Sequence, residues 1–129
     1  MPKNYVYIDE RKLIGMADCI FCAIVRGDIP GKKVYEDEKT LAFDDINPQA
    51  PVHVVVVPKR HVSGMNALDE LPAEEQAALL HACREAARLK GIDQSGYRVI
   101  TNCGADACQS VQHLHLHVLG GVKMSEQMA

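Results

Sequence analysis

The sequence predicts an α+β fold, an antiparallel sheet with one long and one short helix, and three stretches carry that prediction. His53-Val54-Val55-Val56-Val57 is an unbroken run dominated by β-branched residues that stops at Pro58, as a buried strand should. His113-Leu114-His115-Leu116-His117-Val118 alternates with a period of two, which puts its histidines on one face of a strand and its apolar residues on the other. Between these two runs lies the one long stretch with helical period, from Ala73 to Lys90. A chain of 129 residues fits one compact domain with a core of its own, and no repeat or low-complexity segment divides it.

In chain order, residues 1–16 carry mixed charges and a weak apolar pattern and are expected to form an arm, leaving 17–129 as the domain. From Ala17 to Arg26 the spacing of Ile20, Ala23 and Ile24 predicts a short helix, with Asp18 near its start and Gly27 as its stop. Lys33 to Glu36 and Thr40 to Asp44 flank Asp37-Glu38-Lys39 and read as a hairpin. Asn47-Pro48-Gln49-Ala50-Pro51 then breaks the pattern before the strand at His53. The long helix has Pro72 before its first turn, Glu74 and Glu75 at its positive end, Arg88 and Lys90 at its negative end, and Gly91 to cap it. Ala78, Leu79, Ala82, Cys83, Ala86 and Leu89 form its inner stripe. Tyr97 to Thr101 and Leu114 to Leu119 complete the sheet, with the helix on one face.

A formal net charge of −3 argues against nonspecific nucleic-acid or membrane binding, both of which normally need a basic patch. The opening Met1-Pro2-Lys3-Asn4-Tyr5 does not read as a signal peptide, and no apolar run has membrane-spanning length, so a soluble cytoplasmic protein is expected. Five cysteines, an odd number in a chain with no mark of secretion, make a disulfide framework the weaker explanation. Only Cys19 and Cys22, a C-x-x-C pair, ask for a special account.

Three imidazoles on one strand face are costly to bury without partners, and they titrate near neutrality. Two functional readings compete: a metal site built from His113, His115 and His117, or a nucleophilic imidazole with neighbours that orient it. The small and polar lead-in from Asn102 to Ser110 can bring backbone N–H groups and a hydroxyl up to an anion, which favours phosphate chemistry.

The segment from Gln109 to Gly121 resembles the signature of the histidine-triad (HIT) family, in which three histidines alternate with apolar residues. Asn102, Gly104 and Gln109-Ser110-Val111 before it, and Leu119-Gly120-Gly121 after it, resemble the nucleotide-binding branch, and the similarity extends over Asp18 to Lys59. The resemblance implies that branch's antiparallel sheet, continued across a homodimer, and hydrolysis of purine nucleoside phosphoramidates of the AMP or GMP type. It implies His115 as the nucleophile that carries the nucleotide, and His117 and Ser110 as contacts to the phosphate and leaving group. Asn102 and the Gln109 backbone would complete the anion cradle, with His53 and His113 behind the nucleophile. Ile20, Phe21, Ile24, Phe43, Ile46 and Val55 match base-contacting positions, Val111 lies in the phosphate segment, and Asp45 matches the carboxylate that accepts from the ribose hydroxyls.

Asp44 occupies a ribose-contacting position that is histidine in animal members, and the end of the chain lacks their terminal tryptophan and prolines, so leaving-group preference does not carry over. The C-x-x-C pair resembles bacterial members that hold a structural zinc, here through Cys19, Cys22, His61 and His113. Four nitrogen and sulfur ligands with no vacancy describe a structural rather than a catalytic ion. Dinucleoside polyphosphate hydrolysis, or nucleotide binding with incidental hydrolysis, are the alternatives.

Overall fold

The computed structural model describes residues 19–129; the expected arm at residues 1–16, and Ala17 and Asp18, lie outside them. Helix α1 (Ile20–Arg26) is followed by strands β1 (Lys33–Glu36), β2 (Thr40–Asp44) and β3 (Val52–Pro58). Helix α2 (Ala73–Leu89) and strands β4 (Tyr97–Ile100) and β5 (Leu116–Gly120) complete the chain. The strands form one antiparallel sheet in the order β1-β2-β3-β5-β4. No helix among the described residues is long and apolar enough to cross a membrane.

The hairpin forms where Asp37 can accept from the chain ahead of it: its Oδ1 takes the Lys39 and Thr40 N–H groups at 2.8 and 2.7 Å. Strand β3 is central, and both of its faces are covered, which is why it has no polar alternation. Val54 and Val56 pack with Leu79, Ala82, Cys83 and Ala86 of α2 on one side. Val55 and Val57 pack with Ile24, Leu41 and Phe43 on the other, beneath α1. The sheet therefore has a helix on each face, the long one over the larger core.

Several boundaries differ from expectation. Helix α1 starts at Ile20 with Cys19 as its N-cap and closes at Gly27, whose φ of 85° is the left-handed cap a glycine adopts without strain. On α2, Leu89 is 49% exposed and Ala78 is half-buried, while Ala87 is fully buried. Ala87 follows Cys83 by four residues and so stays on the stripe, which Leu89 has rotated past. Ladder pairing of β5 begins at Leu116 rather than Leu114, and Thr101 falls just outside β4. The Thr101 hydroxyl instead donates to the His115 carbonyl at 2.7 Å.

Candidate active site and metal centre

The alternation persists upstream of the ladder. Leu114, Leu116 and Val118 enter the α2-side core, and the histidines face α1. The Phe21 ring stands edge-on to His113 and His115, with centroids 5.8 and 5.0 Å away.

Each imidazole's tautomer follows from what its partner can do, since a carbonyl only accepts and a backbone N–H only donates. His115 Nδ1 lies 2.7 Å from the His113 carbonyl and must donate, so neutral His115 keeps its lone pair on Nε2. His53 Nδ1 accepts from the Gln49 N–H at 2.9 Å, so the His53 proton sits on Nε2. That Nε2–H faces His117 Nδ1 at 2.8 Å and Asp45 Oδ2 at 3.3 Å. His117 then accepts at Nδ1 and carries its own proton on Nε2. The row thus presents one lone pair, on His115, and one donor, on His117. His53 bonds to His117; the group bonded to His115 Nδ1 is the backbone carbonyl of His113.

Burial holds all four rings below their ordinary range: His53 and His115 are lowered, and His113 and His117 fall to about 4, where neighbouring imidazoles add to the burial effect. The triad is therefore neutral at pH 7. The sign of the linkage is fixed by His117, which takes a proton near 6.5 when unfolded and near 4 when folded. Its contribution to stability is complete above about pH 6.5 and is lost as pH falls toward about 4, because there the unfolded chain binds more protons. Urea midpoints should hold steady above pH 7 and decline below it; in His117→Gln the decline should be shallower, and an equal slope in both proteins would contradict the assignment.

The His53, His115 and His117 rings, but not His113, line a cleft of about 1360 Å³. Ile20, Phe21, Ile24, Phe43, Ile46 and Val55 lie along it, as do His53, Asn102, Ser110, Val111, His115 and His117. Asp45 is also there, its Oδ1 accepting from the Asn47 N–H at 2.7 Å. Asp44 borders the cleft, but its carboxylate is paired with Lys90 at 3.0 Å. Gln109 is the one expected contact off the cleft wall: its backbone N–H donates to Gly104 O at 3.1 Å and so is already engaged.

Sequence reasoning missed Ile29, Pro30, Gly31, Lys32, Asn47, Gln49 and Cys108, which also line the cleft. The signal available for part of that wall was Pro30-Gly31, where a side chain at Gly31 would come within 2.9 Å of Ile24.

Behind His115, Cys19, Cys22, His61 and His113 bring their ligand atoms within 4.8 Å of one another. Cys19 Sγ is 3.3 Å from His113 Nδ1, Cys22 Sγ is 3.3 Å from His61 Nδ1, and the two Nδ1 atoms are 3.1 Å apart. His113 Nε2–H donates to the Pro58 carbonyl at 2.9 Å, which turns its Nδ1 lone pair toward the sulfurs. Burial, with Cys19 adding to it, pushes the Cys22 thiol up to about 12, so only a cation would make it a thiolate here. This is a closed Cys2His2 donor set with a fixed ring orientation, and it fits structural zinc. When bound, zinc would tie the start of α1 to the histidine whose carbonyl holds His115.

The three histidines of the row do not converge on a metal, because His113 faces the cysteines. Asp45, His53 and His117 form a second close group, but the Gln49 N–H on His53 Nδ1 puts the proton where an ion would need the lone pair.

Similarity to known proteins agrees with the geometry. A family model described as the HIT domain matches residues 26–124. A "14 kDa zinc-binding protein" of Zea mays is 44% identical over 108 residues, which cover 82% of this chain and 84% of that protein. A solved HIT family hydrolase from Clostridium thermocellum superposes with a TM-score of 0.84 at 42% identity, covering 88% of this chain and 98% of that one. A histidine triad nucleotide-binding protein from Candida albicans superposes with a TM-score of 0.72 at 31% identity, with 86% of each chain covered. With the family match spanning most of its length and the histidine row inside that match, the chain belongs to the HIT domain family.

Proposed function

We propose that the protein hydrolyses purine nucleoside 5′-phosphoramidates through a nucleotide covalently held on His115. The observation that carries the reading is the 2.7 Å bond from His115 Nδ1 to the His113 carbonyl, which leaves the Nε2 lone pair for an electrophile. In the first step Nε2 attacks the α-phosphorus and the phosphorus–nitrogen bond to the leaving amine breaks. The leaving amine takes up its proton from solvent at the mouth of the cleft, while the His117 Nε2–H donates a hydrogen bond to a phosphate oxygen. Water then attacks phosphorus and gives its proton to solvent, the bond to His115 breaks with its electron pair returning to Nε2, and a nucleoside monophosphate leaves.

Ser110 and Asn102 donate to the phosphate oxygens where charge builds. The apolar wall receives the base, and the Asp45 carboxylate retains acceptor sites for the ribose hydroxyls. Zinc occupies the Cys2His2 set. We place the protein in the cytoplasm: an odd count of five cysteines, two of them in the Cys2His2 set, suits a reducing compartment better than a disulfide framework.

We assign a homodimer built through β4, an edge strand whose Val99 is 41% exposed. Val99→Arg should sediment as a monomer where the wild type sediments as a dimer; a monomeric wild type would remove this part of the reading.

The test of function is a panel of purine phosphoramidates, acyl adenylates and dinucleoside polyphosphates, with rapid quench for labelled nucleotide on His115. Turnover of dinucleoside polyphosphates in preference to phosphoramidates would replace the substrate. Binding with no turnover of any of them would leave a nucleotide-binding protein.

A further inference from the structure

The turn that delivers Ser110 to the cleft is closed by a side chain rather than by regular structure. Residues 101–115 contain only a short 3-10 turn, Ala105–Ala107, and then Cys108 in the left-handed region at φ 59°, which a non-glycine residue adopts only where its surroundings hold it. Gly104 and Gln109 hold it reciprocally. The Gln109 N–H donates to Gly104 O at 3.1 Å, and the Gly104 N–H donates to Gln109 Oε1 at 3.0 Å.

The amide's other end reaches outward: Gln109 Nε2 donates to Val111 O at 3.0 Å and to Ser63 O at 2.8 Å. Both donors and the oxygen are thereby engaged. Ser110 is held from either side, by the Gln109 backbone before it and the Val111 carbonyl after it. Ser63 lies just past His61, so the same amide fastens the cleft turn to the loop that supplies a metal-site ligand. The Leu114 N–H, donating to Val62 O at 2.7 Å, joins these segments a second time.

Gly64 makes room for the arrangement. A Cβ there would lie 3.2 Å from Gln109 Nε2 and 3.3 Å from Oε1, while its φ of 172° is extended backbone open to any residue. Space, not conformation, calls for glycine at this position.

We propose that Gln109 is a positioning residue for the hydrolysis: its amide sets Ser110 and Val111 against the reacting phosphate without touching substrate, and Gly64 is the gap that admits it. The inference rests on the function proposed above. Its bonds to Gly104 and Ser63 lie at the exposed side of the turn, where water replaces a lost partner. Removing the amide should therefore disturb geometry far more than stability.

Gln109→Glu sets a carboxylate against two carbonyls, and Gly64→Ala pushes the amide without straining the backbone. For each, kcat and KM on adenosine 5′-phosphoramidate, melting temperature, zinc content and hydrogen exchange at Gly104 are measured on the full chain. Misplacement of this kind costs on the order of 100-fold, so kcat should fall roughly 100-fold in Gln109→Glu and about fivefold in Gly64→Ala, with KM within about twofold. Zinc should be retained, the melting temperature little changed and Gly104 exchange accelerated. Wild-type kcat in both variants, a loss confined to KM, or a loss that follows the melting temperature and recovers on cooling would each overturn the proposal. Should the wild type fail to turn over the phosphoramidate, the functional reading falls separately; Gly104 exchange then decides the matter, and unchanged exchange in both variants refutes the positioning role.

Discussion

His115→Ala should lower phosphoramidate turnover by about 10⁴-fold or more while nucleotide affinity stays within about fivefold. The two quantities separate because they depend on different groups. The proposed nucleophile is a single lone pair, and with Nδ1 bound to the His113 carbonyl no neighbouring ring has a lone pair to substitute: His117 spends its own on the His53 Nε2–H. Affinity resides in surfaces the mutation leaves in place, the wall around Phe43 and Val55 and the Asp45 carboxylate, all lining the cleft. The comparison uses single-turnover kinetics with labelled substrate, calorimetric binding of AMP, and circular dichroism to show that the variant is folded. Labelled protein from wild type and none from the variant is the expected result. If the alanine variant keeps a tenth of wild-type turnover, the covalent route through this residue is wrong.

Stability should depend almost as strongly on the Cys2His2 set. Zinc at a thousand times its dissociation constant stabilises a fold that binds it by about 4 kcal/mol. For a domain of this size each kcal/mol is worth about 4 °C, so the zinc-loaded protein should melt about 15 °C above the chelated one. Cys22→Ala should lose both the ion and the difference. His113 makes the expectation specific: its Nε2–H is committed to Pro58 O and its Nδ1 is aimed at a second imidazole 3.1 Å away, an arrangement a shared cation favours. Zinc content by mass spectrometry and melting curves with and without chelator test this. Under half an equivalent of zinc in protein purified without chelator, or the same melting temperature in both states, would remove the ion from the account.

The hairpin around Asp37, the β3 valines and the long α2 stripe were legible because each depends on residues close together in the chain. Periodicity also showed that the histidines share a face. What the sequence left out lay at ends and at single groups. Leu89 is apolar and near the stripe, yet Ala87 is buried in its place, since helix rotation near a terminus is set by what the helix packs on. Asp44 borders the cleft at the expected position, and a lysine 46 residues later pairs with its carboxylate, which no local pattern announces. Gln109 carried a resemblance-based role for its backbone, while three partners for its side chain came from Ser63, Gly104 and Val111. No spacing rule announces such contacts.

By itself the sequence determined the α+β class and the face that the three histidines share, because alternation and helical period are local properties of a chain; the candidate ligands of both centres came from the resemblance to the HIT family. Tertiary structure alone decided which nitrogen of each ring holds the proton. His53, 64 residues from His117, turns that ring into a donor, and Cys19, 94 residues from His113, faces the lone pair that Pro58 leaves free. A tautomer is chosen by its hydrogen-bond partners, and only the folded chain brings those partners within reach.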